Sequence, residues 1–299
     1  MKVDLTGEKF GVEIEVAGIS WADAAEAVRQ AVGGGEFIGR NEGPRHNYTI
    51  MELTPDERAH SRTWKVMYDA SINRVNGKPG AEVVSPVLTY GPAAFESIRK
   101  VTHALRSAGA IPHSSCSVHV HVDGTYHDAG TISRLSKSVY KHEELIFMAI
   151  GTQASRIMGY AKKMDSNFIS KICQERRIDD DKFNKAWFGR YSFTRPHHYE
   201  GTRYHGLNLN NLWRDLHTVE FCYANASLHA GKIKAYVQLY LALSKRARIS
   251  KAASATKVTT NNPKYAMRTW MLSLGLIGEE FKACRFHLLA KLQGNSAWR

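Results

Sequence analysis

"KFGVEIEVAG", residues 9–18, sets two glutamates one residue apart in an otherwise apolar run. Phe10, Val12, Ile14 and Val16 alternate with Glu13 and Glu15. That is the period of a β-strand, so both carboxylates point to one face and the apolar side chains to the other. Two like charges held so close repel each other unless something positive accompanies them. Either the face is solvated or salt-bridged, or it holds a divalent cation. Hard carboxylate oxygens suit Mg2+ or Mn2+ rather than a soft metal.

The same pattern returns in "CSVHVHVDG", residues 116–124. Val118, Val120 and Val122 line one face with Cys116 ahead of them; His119, His121 and Asp123 line the other, with Ser117 ahead. Two histidines and an aspartate so placed suit contact with phosphate or metal. The His-x-His pair is also half of a zinc chelate, but no further ligand stands at a predictable spacing. Glu82 in "GAEVVSP" and Glu220 in "TVEFCYA" occupy strand-like segments, and Arg203 and Asn208 lie on the approach to the second. An arginine there meets a phosphate or a carboxylate. Carboxylates, histidines and an arginine gathered by one sheet are what Mg2+-dependent phosphoryl transfer uses. The chain carries no glycine-rich dinucleotide fingerprint, no phosphate loop and no serine elbow.

Outward from these strands, helix and strand alternate without a regular βαβ rhythm. Ser20 and Asp23 form a capping box ahead of a helix that stops at the glycines at 33–34. "HNYTIMELTP" reads as a strand and "WKVMYDASIN" (64–73) as strand then turn. A helix follows Pro92 and ends before Gly109, and long helices are expected over 131–149 and 230–248. Residues 150–200 mix short helical pieces with a polar, aromatic loop, and the stretch at 187–205 is a candidate lid. Two further helices are expected over 264–275 and 279–291, with Trp270, Met271, Leu274, Phe281 and Leu288 in their core. The polar stretch at 249–262 reads as a loop within a single α+β domain, 1–299, whose last segment, 263–299, is helical.

The chain has 299 residues, of which 43% are hydrophobic and 23% charged, with a net charge of +13. It lacks a run of eighteen apolar residues, so no transmembrane helix and no membrane partner are expected. "MKVDLTGEKFGVE" lacks the apolar core of a secretory signal, and four scattered cysteines indicate reduced thiols and a cytoplasmic setting. The positive charge suits nucleic acid or an anionic small substrate. A nucleic-acid-binding or structural protein without ATP turnover is therefore one alternative, and a phosphotransferase using the same acidic sheet is another. Against the first, Glu13, Glu15, Glu82 and Glu220 repel phosphate unless metals intervene.

"FGVEIEV" (10–16), "WKVMYDASI" (64–72), "GAEVVSPVL" (80–88), "CSVHVHVDG" (116–124), "RYHGLNLNNL" (203–212) and "TVEFCYANASLHAGKIKAYVQL" (218–239) occur in this order. In their order and combination the chain resembles the amidoligase family of the carboxylate–amine ligase superfamily, relatives of glutamine synthetase and glutamate–cysteine ligase. The resemblance implies a glutamine-synthetase-like, bowl-shaped, mainly antiparallel sheet packed by helices, whose concave acidic face holds ATP and Mg2+ or Mn2+. It implies that ATP phosphorylates a carboxylate substrate and that an amine substrate attacks the acyl phosphate, giving an amide or isopeptide bond. The substrates would be amino acids, peptides, proteins or cell-wall fragments. By resemblance, Glu13, Glu15, Glu82 and Glu220 are metal ligands. Glu13, Glu15, His119, His121 and Asn208 meet the nucleotide, and Arg203, Glu82 and His121 act in catalysis. Two positions depart from the pattern: Cys222 stands where an arginine is usual, and Ala70 where a glycine is common.

Overall fold

The computed structural model describes residues 2–33, 37–41, 47–51, 63–189, 201–213 and 216–297. They fall into two compact units, Thr6–Val120 with Ala224–Lys234, and Met1–Leu5 with His121–Tyr223 and Ala235–Arg299. In the first unit, strands β1 (Lys9–Val16), β2 (Phe37–Asn41), β3 (Asn47–Met51), β4 (Thr63–Met67) and β5 (Ala81–Val84) pair antiparallel in the order β2-β3-β4-β5-β1. The short β6 (Leu88–Thr89) pairs with the start of β1. Helices α1 (Trp21–Ala31) and α2 (Pro92–Ser107) pack together, and α1 lies against β3, β4 and β5. Strand β7 (Ser117–Asp123) begins in this unit and runs on into the second.

The alternation read in β1 becomes burial. Phe10, Val12, Ile14 and Val16 are fully buried, and Phe10 stacks on Phe95 of α2 at 5.8 Å. Ser20 caps α1 by accepting from the Asp23 amide at 3.1 Å. At the other strand end, Ser85 replaces a lost rung: its hydroxyl accepts from the Val12 amide at 2.9 Å and donates to the Pro86 carbonyl. Gly80 leads into β5 at φ +82, and a Cβ there would meet the Val16 carbonyl at 2.7 Å. Only glycine lets the chain turn so close to β1.

The second unit is mostly helical. It holds α3 (Ala129–Ile150), α4 (Ala154–Gly159), α5 (Ser166–Gln174), α6 (Asp180–Phe188), α8 (Pro263–Ser273), α9 (Lys282–Leu289) and most of α7 (Ala230–Ile249). Its strands are β8 (Leu207–Asn208) and most of β9 (Thr218–Asn225), paired antiparallel. Phe221 of β9 stacks flat on Tyr240 of α7 at 4.2 Å. Trp270, Met271, Leu274, Phe281 and Leu288 are buried, as the sequence pattern requires. The polar stretch at 249–262 runs along α3, with the Val258 amide on the Lys141 carbonyl at 3.0 Å and Lys257 over the Tyr140 ring.

The bowl-shaped sheet implied by family resemblance is not what the chain forms. The described residues are roughly half helical and only 17% strand, and the sheet is neither closed nor strongly curled. The reason is strand length. Closing a sheet needs continuous ladders whose tilt and stagger match all the way round. Here β6 and β8 have two residues each and no strand exceeds eight among the described residues. The acidic side chains therefore do not lie in the hollow of a bowl. Of the candidate lid, 190–200 lie outside the described residues, as do 46 and 52–55 of the strand expected over 46–55.

One buried carboxylate anchors the second unit. Glu143 of α3 is wholly buried and accepts from the Met164 amide at 3.0 and 3.1 Å and from the Tyr223 hydroxyl at 2.9 Å. Burial pushes it up to about 7, with the two donors pulling the other way. A carboxyl raised in the folded state stabilises fully below its unfolded value and loses that contribution as pH rises through about 7. Glu143→Gln removes the titration while keeping an acceptor. Between pH ~5 and ~8 the wild type should lose on the order of 2 kcal/mol more than the variant, read from denaturant unfolding at the two pH values.

Candidate functional site

In the first unit, β1, β5 and β7 bring four expected residues together. Antiparallel pairing of β1 with β5 sets Glu15 directly opposite Glu82, and Glu13 opposite Val84. Like charges facing across a ladder are unfavourable by themselves. Glu15 is 7% exposed and Glu82 is half-buried, so water does little to relieve them. Burial first, then the charges of Glu13 and Glu15, push Glu82 up to about 9, and only His119 pulls it back. Glu82 therefore holds a proton at neutral pH when no cation is present. Asp69, at the turn after β4, adds to the same negative field.

His119 joins this group from β7. Its Nδ1 lies 3.4 Å from Glu13 and its Nε2 3.9 Å from Glu15. The Ser117 hydroxyl lies 2.8 Å from Nε2 and fixes the ring. Ser117, two residues back on the same strand face, and Asp69 were not singled out as site residues from the sequence. The period-2 rule contains the signal for the first, and the second stands in the family-like stretch "WKVMYDASI" (64–72). Cys116, at the head of β7, is wholly buried and its thiol is pushed up to about 11 by burial, which makes it inert as a nucleophile.

In the second unit, Glu220 is the focus. It is 7% exposed on β9, and its Oε2 accepts from the Asn208 amide nitrogen at 2.7 Å. Register places Asn208 directly opposite Glu220, and the Asn208 oxygen in turn accepts from the Asn210 amide at 3.0 Å. The Cys222 thiol donates to the Glu220 Oε1 at 3.2 Å. His121 comes within 4.8 Å of Glu220 and has its Nδ1 3.2 Å from the Thr218 hydroxyl. Arg203 sits half-buried on the 3-10 turn Gly201–Tyr204, its guanidinium 5.7 Å from the Tyr204 ring.

Gly206 lets β8 reach β9. A Cβ there would run into the Tyr223 ring, and the Gly206 carbonyl accepts from the Cys222 amide at 2.8 Å. Gly206→Ala should destabilise the protein by about 1–3 kcal/mol through overpacking, measured by thermal or denaturant unfolding.

Among the described residues, metal-ligating side chains lie together as Glu13, Glu15, Glu82 and His119 in the first unit, while in the second Glu220 has His121 within 4.8 Å and the Cys222 thiol at 3.2 Å. Among the described residues no helix is long and apolar enough to cross a membrane. A family described as "Putative amidoligase enzyme" matches residues 6–244. No curated protein matches the chain.

Proposed function

The chain belongs to the amidoligase family, and from that premise we propose that it is an ATP- and Mg2+-dependent carboxylate–amine ligase. It would form an amide or isopeptide bond through an acyl phosphate. The observation that carries this reading is the trio Glu13, Glu15 and Glu82, set on adjacent strands with Glu15 directly opposite Glu82. Such a donor set suits a divalent cation: all oxygen, hard, and destabilised until a positive charge arrives. Mg2+ or Mn2+ there would neutralise phosphate charge when bound.

The protein's own residues supply the rest. Glu13, Glu15 and Glu82 hold the cation, and Glu220, oriented by Asn208, is a further metal ligand. His119, fixed by Ser117, and His121, held by Thr218, are donors for phosphate oxygens. Arg203 is assigned to the phosphate or the substrate carboxylate, matching a planar fork to a planar acceptor. Attack by a neutral amine needs the carboxylate held in line with the γ-phosphoryl group and water kept from the acyl phosphate. The substrates proposed are a carboxylic acid and an amine of amino-acid, peptide, protein or cell-wall origin, in the cytoplasm.

A structure obtained with a non-hydrolysable ATP analogue and Mg2+ tests this reading. Nucleotide and metal density at Glu13, Glu15 and Glu82 is the expected result. A well-occupied nucleotide found elsewhere, with those carboxylates empty of metal, contradicts it.

A further inference from the structure

We propose that Cys222 makes the Glu220 group of the second unit a site for a borderline divalent ion of the Zn2+ or Co2+ class rather than for Mg2+. Residues 220 and 222 of β9 are two apart, so their side chains leave one face of the strand. Both are buried, at 7% and 3% exposure. Their ligand atoms are already 3.2 Å apart. A tetrahedral ion with metal–sulfur and metal–oxygen distances of about 2.3 and 2.0 Å spans about 3.5 Å between those atoms. The pair is therefore close to a chelate's bite before any ion arrives.

A nearby imidazole and an orienting partner accompany this pair. His121 offers an imidazole within 4.8 Å of Glu220. Sulfur, oxygen and nitrogen together are the donors of zinc sites, whereas Mg2+ asks for near-octahedral oxygen and does not favour sulfur. Asn208 holds the other Glu220 oxygen at 2.7 Å and so fixes the carboxylate's direction, the task an outer partner performs at metal sites. On binding, the sulfur–metal bond forms, the S–H bond breaks, and the proton goes to solvent. The inference rests on the proposed function only in taking Glu220 as a metal ligand; it needs no ligase turnover.

The test uses full-length protein carrying Cys173→Ser, because Cys173 is the exposed thiol among the described residues while Cys116 and Cys284 are buried. Co2+ is titrated in, and the near-ultraviolet sulfur-to-cobalt charge-transfer band is followed. The expected result is a saturable band that a large excess of Mg2+ does not bleach. Adding Cys222→Ser should remove the band and weaken Zn2+ binding by at least about tenfold. No band at saturating Co2+ in the Cys222 protein overturns the inference, as does a band that survives Cys222→Ser. Neither readout depends on that variant turning over substrate. An inactive protein that shows the band sinks the ligase reading and leaves this one standing. An active protein without the band does the reverse.

Discussion

Glu15→Gln is expected to cut ATP-dependent turnover by at least about a hundredfold to a thousandfold while making the metal-free protein more stable. Glu15 faces Glu82 across the β1–β5 ladder, with Glu13 two residues away on the same strand face. Removing one negative charge eases the crowding of Glu15 with Glu13 and takes away one of the two charges that, after burial, push Glu82 up to about 9. It also removes one of the three carboxylates proposed to hold the cation. Loss of activity with a rise of a few degrees in melting temperature separates a functional carboxylate from a structural one. A merely structural Glu15 would give the opposite pair of results, lower stability with turnover largely kept. Phosphate release and a thermal melt on the same two preparations decide it.

The second large effect is in pH. A divalent ion binding at Glu13, Glu15 and Glu82 must displace the proton that burial and the two neighbouring charges keep on Glu82 up to about 9. One proton released per ion makes the logarithm of affinity rise by about one for each pH unit below that value. Between pH ~6 and ~8 the affinity for Mg2+ or Mn2+ should therefore increase about a hundredfold. The metal-free protein should behave oppositely. A carboxyl raised in the fold stabilises it most below the unfolded value of 4.5, and that contribution drains away as pH climbs towards about 9. Glu82→Gln should bind more weakly, with an affinity nearly flat in pH. Calorimetric titration in two buffers of different ionisation enthalpy counts the proton directly.

Much of this was legible in the sequence, because alternation is a local rule. The face shared by Glu13 and Glu15, the histidine face of β7 and helices α2, α3 and α7 all follow from spacing, caps and breakers. What spacing does not carry is register. That Glu15 meets Glu82, and Asn208 meets Glu220, depends on which strand pairs with which and in what alignment. Asp69 joined the acidic group for the same reason: a turn residue reaches it only through the fold. The bowl failed because it was inferred from relatives rather than from this chain's strands, several of which are too short to show any period. Cys222 was visible as a departure from the family pattern. Its bond to Glu220 turns that departure into a candidate ligand.

The most direct measurement of the ligase reading is a balance of atoms. The protein is incubated with ATP, Mg2+ and pooled amino acids, peptides and amines, with Glu15→Gln as control, and phosphate and products are followed by mass spectrometry. The prediction is inorganic phosphate released in step with a product whose mass equals acid plus amine less one water, absent from the control. Intact ATP with every pool, or phosphate left on an acceptor with no amide formed, would contradict it.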